Sequence, residues 1–292
     1  MKKSIFLFIW VIFFFGLCCT ENPFYKNPEE VKTQRTVTGQ VLLNDQNTPD
    51  SIFVWLEEFD ISTYSDANGQ FLMRLPPPEK QAGGGVDGIF NLFFYVSNFR
   101  IDSVSLAVKN GEFVYGSAGI NTQGELIQPV VLQKLMEIET VVSPDTFTSC
   151  YDKFVVVKLR LKAFSPQVNI AALTDYEQNI SGIILKRIHS QEALTTIIRS
   201  HMSQLNTQII ISGFKEYVSY YKYDYCSFPA GDYQIIPFLW VEQLGIPPAL
   251  FENLGIPPHQ ISLDYLKIPV KRRGGEFRID PSPGRGAGGS PS

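Results

Sequence analysis

From Thr36 onward the chain runs in short stretches of Val, Ile, Phe and Tyr, broken every few residues by Asn, Asp, Gly or Pro, while apolar spacing of helical period is nearly absent. Runs of that length with turn-forming residues between them are the pattern of consecutive strands in a sandwich. The pattern confines the chain to an all-β architecture. An aromatic content of 13% against only 18% charged residues suits sheets packed face to face rather than exposed amphipathic helices. With 292 residues, 44% of them hydrophobic, the chain can bury more than one core, and two β-sandwich domains are expected.

The first block, residues 36–142, offers strands at Thr36–Leu43, Ser51–Glu58, Gln70–Leu75, Asn91–Asn98, Asp102–Lys109, Gly111–Tyr115 and Ile127–Leu132. Asn110-Gly111 supplies the positive-φ pair of a tight hairpin. Within this block Val37-Thr38-Gly39-Gln40-Val41, then Ser51 to Leu56, then Ser65-Asp66-Ala67-Asn68-Gly69-Gln70-Phe71 resemble the carboxypeptidase regulatory-like domain, a transthyretin-like β-sandwich. The resemblance implies an accessory module without catalytic residues, of a kind carried by peptidases, outer-membrane receptors and surface lipoproteins. Asp66-Ala67-Asn68-Gly69 also has the look of a calcium loop, but Gln70 to Leu75 holds no acidic ligand. The stretch therefore reads as a turn capped by Asp66 and Asn68, with Gly69 in the left-handed region and Phe71 returning to the core.

Val141–Phe147, interrupted by Ser143-Pro144-Asp145, reads as a linker, with a boundary near residue 143. The second block, 146–279, offers strands at Lys153–Ala163, Ile180–Ile188, Gln208–Gly213, Tyr217–Tyr225, Gly231–Val241 and Ile261–Val270, and an immunoglobulin- or fibronectin-like sandwich is expected. One short helix is expected over Gln191–Leu205. Ser190 would cap it, and Leu194, Ile197, Ile198, His201, Met202 and Leu205 fall on one face. Phe228-Pro229-Ala230-Gly231-Asp232-Tyr233 reads as a turn that launches a strand. The phrase Leu244-Gly245-Ile246-Pro247-Pro248 returns as Leu254-Gly255-Ile256-Pro257-Pro258, too short a repeat for a solenoid. Its paired prolines read as a rigid connection, or alternatively as a docking loop presenting Ile246, Leu250, Phe251 and Ile256. Residues 280–292, rich in Pro, Gly and Ser, are expected to form a disordered tail.

Residues 1–19 carry Lys2 and Lys3, an apolar run from Ile5 to Leu17, and Cys18-Cys19, which together form a secretory signal. The run is shorter than the roughly 20 apolar residues that a spanning helix needs. The segment resembles the signal peptide of bacterial lipoproteins. That resemblance implies acylation of the cysteine that becomes the mature first residue. Cys19 is the preferred attachment site because Cys18 before it is small, and Cys18, preceded by bulky Leu17, is the alternative. Two or more acyl chains at about 0.8 kcal/mol per buried CH₂ would hold the protein on a membrane. Residues 20–35 would then serve as a tether, with the outer membrane or cell surface as the favoured location.

Of the four cysteines, Cys150 and Cys226 remain in the body, and in an exported chain they are expected to pair, with two free thiols as the alternative. Such a loop contributes about 4 kcal/mol through chain entropy. His189, His201 and His259 are scattered without metal-ligand spacing, so no metal and no cofactor is expected. Ser117, in Gly116-Ser117-Ala118-Gly119, lacks a nucleophile elbow. Scattered carboxylates such as Glu57, Glu58, Asp60 and Asp152 have nothing to hold two of them at a catalytic separation. A net charge of -4 argues against nucleic acid. The expectation is a non-catalytic envelope lipoprotein whose partner is another envelope protein or a polysaccharide. The alternatives are a carbohydrate-binding surface protein, stacking sugars on Phe93-Phe94-Tyr95 or on Tyr217–Tyr225, and a hydrolase accessory or enzyme.

Overall fold

The computed structural model describes residues 34–117, 119–148, 153–175, 177–189, 195–198, 204–222, 228–257 and 260–281. All of these but Gln34 belong to one compact unit, Arg35–Ser292. The chain is all-β and built as sandwiches, with one short α-helix among the described residues.

The first block contributes β1 (Thr36–Leu43), β2 (Phe53–Leu56), β3 (Ile61–Tyr64), β4 (Gln70–Arg74), β5 (Gly88–Tyr95), β6 (Asp102–Lys109), β7 (Glu112–Phe113) and β8 (Val130–Leu132). They form a three-stranded sheet, β4-β1-β8, facing a five-stranded sheet, β3-β2-β5-β6-β7. Strand β1 serves two neighbours: Thr36–Gln40 runs antiparallel to β4, and Val41–Leu43 runs parallel to β8. Val37, Val41, Phe71, Met73, Leu92, Phe94, Leu106 and Val108 fill the space between the sheets, as period-two alternation requires.

The second set comprises β9 (Met136–Ser143), β10 (Thr146–Thr148), β11 (Val155–Ala163), β12 (Val168–Thr174), β13 (Ile183–Arg187), β14 (Thr195–Ile198), β15 (Gln204–Ile211), β16 (Phe214–Tyr221), β17 (Gly231–Pro237), β18 (Leu239–Glu242), β19 (Arg273–Gly274) and β20 (Glu276–Asp280). The sheet β16-β11-β9-β19 is faced by two others, β10-β20-β17-β13-β14 and β15-β12-β18. Long β11 serves both, placing Val155 and Val157 in one core and Leu159 and Leu161 in the other. The two facing sheets are joined where β17 passes into β18 at Pro237, which has no ladder donor to give.

Three expectations are corrected here. Val141–Phe147 is not a linker: β9 pairs with β11 from Met136 to Ser143, and β10 pairs with β20. The chain changes sheets at residues 133–135 instead. In the segment expected to be helical, residues 195–198 and 204–211 are strands paired with β13 and β12. β-Branched Thr195, Thr196, Ile197 and Ile198 favour the pleated form, and β13 offers them a partner. Ile261–Val270, expected as a strand, contains a 3₁₀ turn at Leu263–Lys267, capped by Ser262.

The helix lies instead inside the repeated phrase. Helix α1 (Pro248–Leu254) begins at the first proline pair, with Pro247 as N-cap and Pro248 at N1, and ends at Gly255, left-handed at φ 67°. Proline at the first helical position and glycine just past the last are the ordinary punctuation of a helix.

The blocks share a hydrophobic core. Phe53, Trp55 and Tyr95 sit on the outer face of the first block's five-stranded sheet. They pack with Ala171, Leu173, Ile184, Ile236, Phe238 and Trp240 from the second, around Leu250, Leu254 and Tyr265. Burying one such aromatic side chain contributes roughly 1.5–3 kcal/mol. Strand β2 is consequently buried on both faces, which explains its unbroken apolar sequence.

Three loops share one geometry. Asp66 Oδ1 accepts from the amides of Asn68 and Gln70, Asn121 Oδ1 from those of Gln123 and Glu125, and Asp175 Oδ1 from those of Glu177 and Asn179. In each, the fourth residue is left-handed: Gly69 at φ 76°, Gly124 at 85° and Gln178 at 64°. The Ser65–Phe71 stretch is thus a side-chain-capped turn, with Phe71 buried behind it.

Candidate functional site

The seam between the blocks is fastened by polar groups with full sets of partners. Asn98 is fully buried; its Nδ2 donates to the carbonyls of Met136 at 2.9 Å and Lys271 at 2.8 Å, and its Oδ1 accepts from the Lys271 amide at 2.9 Å. Gln243 reaches back to the other block, donating to the carbonyls of Ser97 (3.0 Å) and Phe99 (2.8 Å) and accepting from the Ile101 amide (2.9 Å). The Tyr265 hydroxyl donates to the Leu239 carbonyl at 2.6 Å and accepts from the Leu239 amide at 3.3 Å, closing that edge of β18. The ring of Tyr265 also carries the Arg272 guanidinium, 5.7 Å from its centroid. Burial lowers the Arg272 pKa, and Tyr265 partly offsets this.

A groove runs along this seam. One cavity of about 500 Å³ is lined by Asn44, Asp45, Arg100, Gln133, Lys134 and Phe164, among others. The next, about 540 Å³, shares Arg100, Leu135 and Ser165 with it, and a third, about 350 Å³, continues past Asn169, Glu242, Gln243 and Leu244. Backbone bonds across the junction build the first cavity: the Arg100 amide donates to the Gln133 carbonyl at 2.7 Å, and the Phe164 amide to the Leu135 carbonyl at 2.8 Å.

Side chains then set its polarity. Asn44 donates to Gln133 Oε1 at 2.8 Å and accepts from the Lys134 amide at 2.8 Å. Lys134 Nζ stands 2.9 Å from Asp45 Oδ2. Burial alone would raise the Asp45 pKa, but Lys134 and the Asn47 amide outweigh it and hold the carboxyl below its ordinary range. The Phe164 ring is 52% exposed, with Lys134 Nζ 5.4 Å and Lys162 Nζ 5.3 Å from its centroid. No carboxylate pairs with Arg100 or Lys162 among the described residues.

Of the residues singled out in sequence, Ile246 and Phe251 line the third cavity of this groove. Cys18, Cys19, Cys150 and Cys226 lie outside the described residues, as do His201, His259, Asp152, Tyr223 and Tyr225. No group of His, Cys, Asp or Glu among the described residues is arranged to hold a metal. Glu57 accepts from the Asn91 amide at 2.6 Å and Asp60 from Asn253 at 2.6 Å, both in structural roles. Phe94 and Tyr95 are buried and Phe93 stacks on Trp55 at 5.6 Å, so this strand offers no sugar platform. On β16, Tyr221 is buried and Tyr220 is exposed beside Phe154. Of the four residues of the alternative docking loop, Leu250 and Ile256 are buried, whereas Ile246 and Phe251 are partly buried against the shared core and line the third cavity beside Leu244, which is 99% exposed.

Arg100, Lys134 and Phe164 carry no local motif; each sits in an unremarkable loop, and only the topology brings them together. No helix among the described residues is long and apolar enough to cross a membrane. No family model matches the chain, and no curated protein matches it. Among solved structures, it is similar to the major pilin subunit of Bacillus cereus, at 12% identity and a TM-score of 0.26, over 82% of this chain and 98% of that one. It is also similar to the TIE protein of Bacillus anthracis, at 8% identity and a TM-score of 0.22, over 72% of this chain but 48% of that protein. Likenesses at this level assign no function.

Proposed function

We propose that this chain is an exported lipoprotein of a bacterial envelope that acts by binding rather than by catalysis, with the seam groove as its binding surface. The observation that carries the reading is the preformed groove: its walls come from both blocks, and Asn98 and Gln243 tie those blocks together with internal hydrogen bonds. A surface held in one geometry loses little entropy on binding. The leader supplies the address. Lys2 and Lys3, the apolar run to Leu17 and the cysteine pair suit export and acylation, and the polar stretch from Thr20 to Arg35 suits a tether between membrane and body.

Mass spectrometry of the mature amino terminus tests the anchor. A start at Cys19 with acyl mass supports it, and Cys19→Ala then abolishes incorporation of a labelled fatty acid while Cys18→Ala leaves the acceptor in place. An unmodified start at Thr20 or beyond overturns it.

A further inference from the structure

We infer that the cavity around Phe164 is a binding site for a carboxylate-bearing sugar, such as a uronic acid unit of an acidic polysaccharide. The inference rests on the binding-module reading above and names its ligand.

Three kinds of group meet there, and each suits a different part of such a ligand. The first is positive charge without an internal partner. Lys134 is matched by Asp45, whereas Arg100, in the cavity lining, and Lys162, over the Phe164 ring, have no carboxylate among the described residues, so the site carries positive charge in excess on a chain of net charge -4. A guanidinium presents paired donors that fit a carboxylate in bidentate fashion.

Planar amides are the second. Asn44 and Gln133 are bonded to each other at 2.8 Å and stand at the cavity wall, where their remaining donor and acceptor positions suit vicinal hydroxyls.

The third is an aromatic ring left half-exposed at the rim, although burying it would be favourable. Phe164 offers the part of its ring left open by the Lys134 and Lys162 ammonium groups over it to the carbon-bearing side of a sugar ring, and Lys162, with no carboxylate partner among the described residues, leaves positive charge at that ring for the sugar's carboxylate. A small inorganic anion would use the cations alone and leave the amides and the ring without purpose. A cavity of about 500 Å³ is within the size range of sites for ring-bearing ligands.

The test is isothermal titration of the full-length chain in detergent with a galacturonic acid trimer, against the neutral galactose trimer and inorganic phosphate. Binding of the acidic trimer at least tenfold tighter than of the neutral one is expected. Arg100→Ala and Phe164→Leu should each weaken it tenfold or more, with unchanged melting temperature because both side chains are exposed. Phe164→Tyr should retain it. Equal affinity for both trimers, displacement by equimolar phosphate, or no binding by the folded chain overturns the inference. An acylated Cys19 together with any of those results leaves the lipoprotein reading intact.

Discussion

Lys271 Nζ lies 2.8 Å from Asp50 Oδ1 and 2.7 Å from the Asp50 carbonyl, tying the turn before β2 to the chain segment that leads into β19. The pair fastens the first block to the second next to the shared hydrophobic core, three residues from Phe53 on one side and from Ile268 on the other.

Its pH dependence follows from Asp50. The Lys271 hydrogen bond, helped by Thr48, lowers the carboxyl from 3.8 to about 2. A depressed folded pKa means that the stabilisation is present above the unfolded value and is lost as pH falls through the folded one, here between about 4 and 2. The Asp50 side chain is 43% exposed, so screening reduces the contribution to about 1 kcal/mol. Urea denaturation at pH 6 and pH 2.5 should show Lys271→Met destabilised at the higher pH and closer to the parent at the lower. A deficit unchanged between the two would assign the effect to the lysine stem instead.

Asn98 should be among the costliest polar positions to alter. Asn98→Leu is close in size but leaves the Met136 and Lys271 carbonyls and the Lys271 amide without partners in a buried place. Each orphaned group costs about 1–3 kcal/mol, and a total loss of about 3–5 kcal/mol is expected from the denaturation midpoint. A loss below 1 kcal/mol would mean that water replaces the side chain.

The fold class, and strands such as Thr36–Leu43 and Asp102–Lys109, are legible in sequence because alternation and turn residues are local signals. Val168–Thr174 is not: Ala171, Ala172 and Leu173 carry no strand preference strong enough to mark it, and pairing with β15 and β18 makes it a strand. Residues 195–198 mislead in the opposite way, because their spacing from Leu194 to Leu205 fits a helical face until a partner strand is available. The groove is least legible of all. Arg100, Gln133 and Phe164 meet only because β1, the 97–101 loop, the 133–135 junction and the β11–β12 turn converge, and no spacing along the chain encodes that meeting.

The three capped loops make a paired prediction. Gln178 holds a left-handed conformation that costs a residue with a Cβ about 1–2 kcal/mol. Gln178→Gly relieves it and forfeits about 0.5–1 kcal/mol through added freedom of the unfolded chain, for a net gain of about 0.5 kcal/mol. Gly69→Ala should do the reverse and lose more than 2 kcal/mol, because its new Cβ would fall 2.0 Å from the Val41 carbonyl oxygen. Thermal melts of the two variants check both signs.

The repeated phrase gives the sharpest contrast between sequence and environment. Leu244 and Leu254 occupy the same place in the two copies of Leu-Gly-Ile-Pro-Pro, yet Leu244 is 99% exposed and Leu254 is 7% exposed, within the shared core. The cause is the helix that the copies bracket: the first Leu-Gly precedes its N-cap, whereas the second ends the helix, where the Ile256 amide turns back to the Phe251 carbonyl at 3.0 Å and Leu254 is held inward. Leu254→Ala opens a cavity beside Trp55 and Trp240 and should cost about 2–5 kcal/mol. Leu244→Ala should change stability by less than about 0.5 kcal/mol. Leu244 lines the second and third groove cavities rather than the one around Phe164, and its loss should leave the melting curve in place. A stability loss at Leu244 matching that at Leu254 would show that the first copy is also packed.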